Sequence, residues 1–218
     1  MKKVIIVTIN ILLFFTRLNA QNQTFNSRPS LLLEMQNIVD EFKSFIKPYK
    51  IELPDNLKLE IKSTNSLIYI RDNIVTIPYW NDLSQAQKDL FKRWKGENAE
   101  EFFNLLFNWF FIPHELGHAI SKMLPRHYDD ERQANQIAYN FFASNDKNKS
   151  KLDYLKQQLE EVLEVLPKPD LKGMHESEYF ETFYSEISQD PDIYGYFQFR
   201  YILEIIESKK NIDLNEIR

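Results

Sequence analysis

Residues 102–120 read FFNLLFNWFFIPHELGHAI, and the periodicity of this stretch sets the character of the whole chain. His114 and His118 stand four residues apart, which on a helix puts both imidazoles on one face, one turn from each other. The residues leading up to them include Phe102, Phe103, Phe107, Trp109, Phe110 and Phe111, the composition of a helix packed in a core. The stretch predicts a helix over Glu97–Leu124. Pro113 directly precedes His114 and costs an interior helix its backbone bond. Either the helix kinks there, or it starts afresh with proline in its first turn.

Working outward, apolar spacing predicts further helices over Ser84–Trp94, Asp129–Ala143, Lys149–Leu166, Glu176–Ile187 and Asp192–Glu207. An earlier one has Ser30 as N-cap and an apolar face of Leu31, Leu32, Met35, Ile38, Val39, Phe42 and Ile46, closed by Pro48. Between Asn56 and Trp80 the period changes to two: Leu57, Leu59 and Ile61 alternate, as do Leu67 and Tyr69, then Ile74 and Thr76. Asp72-Asn73 reads as a hairpin turn between the last two runs. The expected fold is therefore α+β, with a small β-sheet near Leu57–Tyr79 packed on a mostly helical body and preceding the histidine helix. Residues 21–218 show no repeat, low-complexity tract or long linker, which implies a single domain. The last predicted helix carries Tyr194, Tyr196, Phe197, Tyr201, Ile202 and Ile205, a stripe that serves either as core or as a partner surface.

Residues 1–20 have the layout of a secretory signal peptide: Lys2 and Lys3, an apolar run from Val4 to Phe15, then Ala20 before Gln21. The run is shorter than the roughly 20 residues of a spanning helix, so a cleaved leader and a periplasmic or secreted product are expected, without membrane attachment after cleavage. Loss of Lys2, Lys3 and Arg17 takes the formal net charge from −5 to −8. That balance, without a basic run, argues against nucleic acid as a partner. The chain has no cysteine, so a metal site must be built from histidine and carboxylate.

His114-Glu115-Leu116-Gly117-His118 supplies two such ligands, and a catalytic zinc ion (Zn2+) takes three from the protein with one position left open. An extension of the motif to a third histidine would need glycine and histidine where Ser121 and Leu124 stand, which excludes that class. The remaining candidates are Asp129, Asp130 and Glu131, with His127 as a loop alternative. Glu131 is favoured because it opens Glu131-Arg132-Gln133-Ala134-Asn135. There Asn135 shares its face, and Ala134 and Ala138 permit close helix packing. Asn135 can then accept the free N–H of a ligand histidine. Glu115 follows the first ligand by one position, beside the metal rather than on it, where it can take a proton from the attacking water and return it to the leaving amine. His175 is the leading candidate to stabilise the oxyanion, with Tyr179 or Tyr184 behind it.

On these residues the chain resembles the zincin metallopeptidases, specifically the gluzincin branch and its short bacterial members with an HELGHA…E-x-x-A-D/N core. The matching stretch runs from Ile74 to about Phe142, a third of the chain. Asn135 departs from the aspartate usual in the larger enzymes. The resemblance implies a zinc-dependent peptidase acting on peptide or protein substrate. It also implies that a strand before the active helix, matched here by residues 73–79, lines the cleft and takes substrate as an added strand. Two other readings use the same residues: an inactive module holding a structural zinc, and a metal-free helical interaction protein.

Overall fold

The computed structural model describes residues 25–64, 67–121, 128–209 and 212–216. Residues 1–20, read as a leader from the sequence, and His127 lie outside them. The fold is the mostly helical α+β arrangement that the patterning implies. Its elements are helices α1 (Arg28–Ile46), α2 (Gln85–Lys95), α3 (Ala99–Leu105), α4 (Phe111–Ser121), α5 (Tyr128–Ala143), α6 (Lys149–Val165), α7 (Glu176–Thr182), α8 (Tyr184–Ile187) and α9 (Pro191–Ser208), with strands β1 (Lys58–Ile61), β2 (Tyr69–Arg71) and β3 (Ile74–Ile77) between α1 and α2. Among the described residues no helix is long and apolar enough to cross a membrane.

Helix α1 begins earlier than its apolar stripe suggested. Ser27, not Ser30, is the N-cap: the Ser27 side chain accepts the N–H of Ser30, and the Ser30 hydroxyl in turn accepts the Ser27 N–H. Pro29 fits inside the first turn because the N–H it lacks has no helical partner there. Leu31, Met35, Ile38, Val39, Phe42 and Ile46 are buried, whereas Leu32 is exposed. The segment over 176–187 is likewise two short helices, interrupted at Phe183. Asp190 caps α9 by accepting from the N–H groups of Asp192 and Ile193, with Pro191 in the first turn.

The sheet has the order β1-β3-β2, with β3 parallel to β1 and antiparallel to β2. Asp72 and Asn73 both have positive φ, 52° and 62°, the conformation a two-residue hairpin requires and one that Asp and Asn tolerate. This order corrects one expectation. The segment over residues 73–79 contains the central strand β3, whose two edges are already paired, so no peptide can add to it. The strand that packs on α4 is β2.

Helices α3 and α4 form one run through Pro113. Residues Leu106–Phe110 between them are π-helical, and the Phe111 N–H bonds to the Leu106 carbonyl. A wider turn just before Pro113 relieves the clash its ring would make with the carbonyl four residues back. Helix α4 thus starts afresh at Phe111 with Pro113 in its first turn, directly after the π-helical residues. Helices α4 and α5 pack closely. A Cβ added at Gly117 would stand 3.4 Å from both the Ala134 Cα and the Ile137 Cδ1, so the small residues Gly117 and Ala134 bring the two helix backbones together.

Candidate metal centre

That approach places the side chains of His114 and His118 on α4 against Glu131 on α5. The two Nε2 atoms are 3.1 Å apart. Glu131 Oε2 is 3.5 Å from His114 Nε2, and Glu131 Oε1 is 3.7 Å from His118 Nε2. A tetrahedral zinc with bonds near 2.0–2.1 Å has ligand atoms about 3.3 Å apart. The two Nε2 atoms, and each Nε2 with one of the two Glu131 oxygens, are within a few tenths of an ångström of that value, so the donor set fits zinc. All three residues are buried, although a bare cluster of this kind gains nothing from burial in itself. Asp129, by contrast, is exposed at the start of α5.

The ring of His114 is oriented from behind. Its Nδ1 lies 2.8 Å from Asn135 Oδ1, so Nδ1 carries the proton and Nε2 presents its lone pair to the cluster. Burial, and then the neighbouring His118, push the His114 pKa well below the ordinary histidine value. Burial alone brings His118 down to about 4. Both rings are thus neutral near pH 7, the form that ligates metal.

Glu115 is buried beside the cluster and is not part of it. Its carboxylate accepts the backbone N–H of Ile70 on β2. That bond follows from the hairpin register: Arg71 and Ile74 close the two-residue turn, so Ile70, opposite Val75, points its N–H and C=O to the free edge of the sheet. Burial pushes Glu115 up to about 8. Glu131 is driven well above the carboxylate range, first by burial and then by the charge of Glu115. A divalent cation in the cluster inverts this logic and favours the ionised carboxylates.

These shifts give a pH dependence of definite sign. In the unfolded chain both glutamates ionise near their ordinary value of 4.5. In the metal-free fold they keep their protons until about pH 8 for Glu115 and beyond the ordinary range for Glu131. The folded state then binds more protons, and stability falls as pH rises. The two histidines, with lowered values, act in the opposite sense, but only below about pH 6.5. Between pH 6.5 and 8 the metal-free protein is therefore expected to lose about 2 kcal/mol through Glu115, with Glu131 acting in the same direction. Thermal unfolding in chelator should show a lower midpoint at pH 8 than at 6.5. Excess zinc should raise both midpoints, the one at pH 8 more, because ligation needs deprotonated groups. A flat profile in chelator would contradict the burial of these carboxyls.

A cavity of about 350 Å³ opens onto the cluster. One side is formed by β2 and the residues before it, the other by α9 and the turn ahead of it. From His114 an apolar wall runs outward: the Phe111 ring lies 5.3 Å from His114, and Phe107 lies 5.2 Å from Phe111. At the far end Trp94 packs edge-on against Phe199 at 5.6 Å. Gly195 belongs to that end, where a Cβ would come within 3.3 Å of the Phe199 ring and 3.4 Å of Trp94.

His175 does not join this site. It is the N-cap of α7, exposed, with Nδ1 bonded to Ser177 at 2.7 Å, and it is not among the residues lining the cavity. A ring nitrogen in an extended residue before a helix is a ready acceptor for the first-turn N–H groups, and that is how His175 is used. The hydroxyl residues that do line the cavity are Tyr69, Tyr184, Ser188 and Tyr194, and of these Tyr194 is tied to the cluster through Gln198. Tyr194 feels the charges of Glu131 and Glu115, and burial raises its pKa well above the ordinary phenol value, so it stays protonated. Its oxygen accepts from Gln198 Nε2 at 3.3 Å, which leaves the O–H free to donate. Sequence reasoning had placed Tyr194 only in an apolar stripe. No family model, curated protein or solved structure matches the chain, so the functional reading rests on this geometry.

Proposed function

We propose that the protein is an exported, zinc-dependent peptidase of the gluzincin type, with His114, His118 and Glu131 holding the ion and Glu115 moving the proton. The observation that carries the reading is the close convergence of three buried donor side chains with a buried, non-ligating carboxyl next to them in an accessible cavity. A bound zinc supplies Lewis acidity, bringing the pKa of a water molecule towards neutrality and polarising the scissile carbonyl.

The remaining work falls to the chain. Glu115 accepts the proton of the attacking water and passes it to the leaving amine. Burial raises its pKa and a bound cation would lower it again, opposing pulls on a group that must both take and return a proton. The Tyr194 O–H donates to the carbonyl oxygen as charge builds there. On the free edge of β2, which replaces β3 in this role, the Ile70 N–H is taken by Glu115, and the Ile70 carbonyl accepts a main-chain N–H of an extended peptide. The apolar end of the cavity, between Phe107, Trp94, Gly195 and Phe199, takes a large apolar side chain adjoining the scissile bond.

The test is cleavage of a peptide library by zinc-loaded protein lacking residues 1–20. Cleavage next to bulky apolar residues, abolished by chelator and restored by zinc, is the expected result. A library left intact by protein with a full equivalent of zinc would favour an inactive zinc-binding module.

A further inference from the structure

The carboxylate of Glu131 is held by a side chain from a helix that supplies no ligand. Gln198 on α9 is 3% exposed. Its Nε2 donates to Glu131 Oε2 at 2.8 Å and to the Tyr194 hydroxyl at 3.3 Å, and its Oε1 accepts from Asn135 Nδ2 at 3.4 Å. A primary amide offers two N–H groups and a carbonyl, and here each has a partner. Reversing the amide would set its carbonyl against a carboxylate and its NH2 against the NH2 of Asn135. The orientation is therefore unique.

The constraint then passes on. With Nδ2 committed to Gln198, Asn135 must turn Oδ1 towards His114, where it meets Nδ1 at 2.8 Å. That bond fixes the tautomer in which His114 Nε2 is free. One amide thus orients the carboxylate directly and an imidazole through a relay. The residue type matters as well. Lysine or arginine at this place would neutralise Glu131 and compete with a cation, and an acid would repel it. A neutral amide donates to one group and accepts from the other without altering the charge of the site.

We propose that Gln198 is a positioning residue of the metal centre, setting Glu131 directly and His114 through Asn135, so that α9 is coupled to metal affinity. This rests on the reading of His114, His118 and Glu131 as a zinc site.

The experiment is zinc affinity, measured by competition with a chelator of known affinity, on full-length mature protein. Gln198→Leu, similar in volume but without polar atoms, should bind zinc about 10- to 100-fold more weakly than wild type, the usual effect of losing a partner behind a ligand. Gln198→Asn, which keeps the amide but withdraws it by one methylene, should show a loss in the same range and serves if the leucine variant does not fold. The effect of Gln198→Leu combined with Asn135→Leu should be less than the product of the single effects, because the two share a relay. Phe197→Leu, one position away in the core, should lower stability while leaving zinc affinity within about twofold. Wild-type affinity in both Gln198 variants would overturn the positioning role and leave the zinc site standing. Absence of zinc binding in wild type would overturn both.

Discussion

Glu115→Gln is expected to retain about one zinc per molecule while peptide hydrolysis falls by roughly two to four orders of magnitude, the range for loss of a positioned acid–base group. The substitution preserves size, and its amide oxygen can still accept the Ile70 N–H that holds Glu115. Only the capacity to carry a proton is removed. The three ligand atoms belong to other residues, so metal content should not change. Folding should not suffer either. A buried carboxyl with its pKa pushed up to about 8 destabilises the metal-free fold as the pH rises, and a neutral amide does not. In chelator at pH 8 the variant should unfold at a temperature no lower than wild type. Hydrolysis at the wild-type rate would remove Glu115 from the mechanism, and loss of zinc together with activity would make it a ligand.

Glu131→Ala is expected to abolish most zinc binding, with a larger loss than the 10- to 100-fold typical of a group behind a ligand. Two neutral imidazoles remain, and they lack the charge that balances a divalent cation; catalytic sites keep three protein ligands. His114→Ala and His118→Ala should behave alike. The metal-free form of Glu131→Ala should still fold, because the group removed is a buried carboxyl whose ionisation the fold opposes. Asp129 is exposed, so Asp129→Asn should bind zinc as wild type does. Zinc content by mass spectrometry of purified variants decides the matter. Full zinc in Glu131→Ala would move the third ligand elsewhere.

What could be read from the sequence was whatever a local period determines. Four-residue spacing fixes the relation of His114 to His118 and of Glu131 to Asn135 on their own helices, and the small residues Ala134 and Ala138 signal that those helices can approach. The hairpin at Asp72-Asn73 was equally local. Strand order was not, because alternation tells which face a residue occupies but not which strand lies beside it; hence β3 reads as the open strand, whereas it is central and β2 lies at an edge. Gln198 lies 67 residues from Glu131, and no helical period connects them. One signal was present: a lone amide within Tyr196-Phe197-Gln198-Phe199, four residues after Tyr194, on a stripe otherwise suited to a core. Buried amides need partners, and that alone could have drawn attention to α9. His175 misled in the opposite direction, since an isolated histidine in a polar loop serves as readily to cap a helix as to do chemistry.

The central claim is that His114, His118 and Glu131 hold one zinc in an open site. Anomalous diffraction at the zinc edge, from crystals of the mature protein grown with one equivalent of zinc, tests it most directly. The expected result is a single peak bonded to His114 Nε2, His118 Nε2 and the Glu131 carboxylate at about 2.0–2.2 Å, with no fourth protein ligand and Gln198 still on the carboxylate. A peak elsewhere, or one enclosed by four protein ligands, would contradict it.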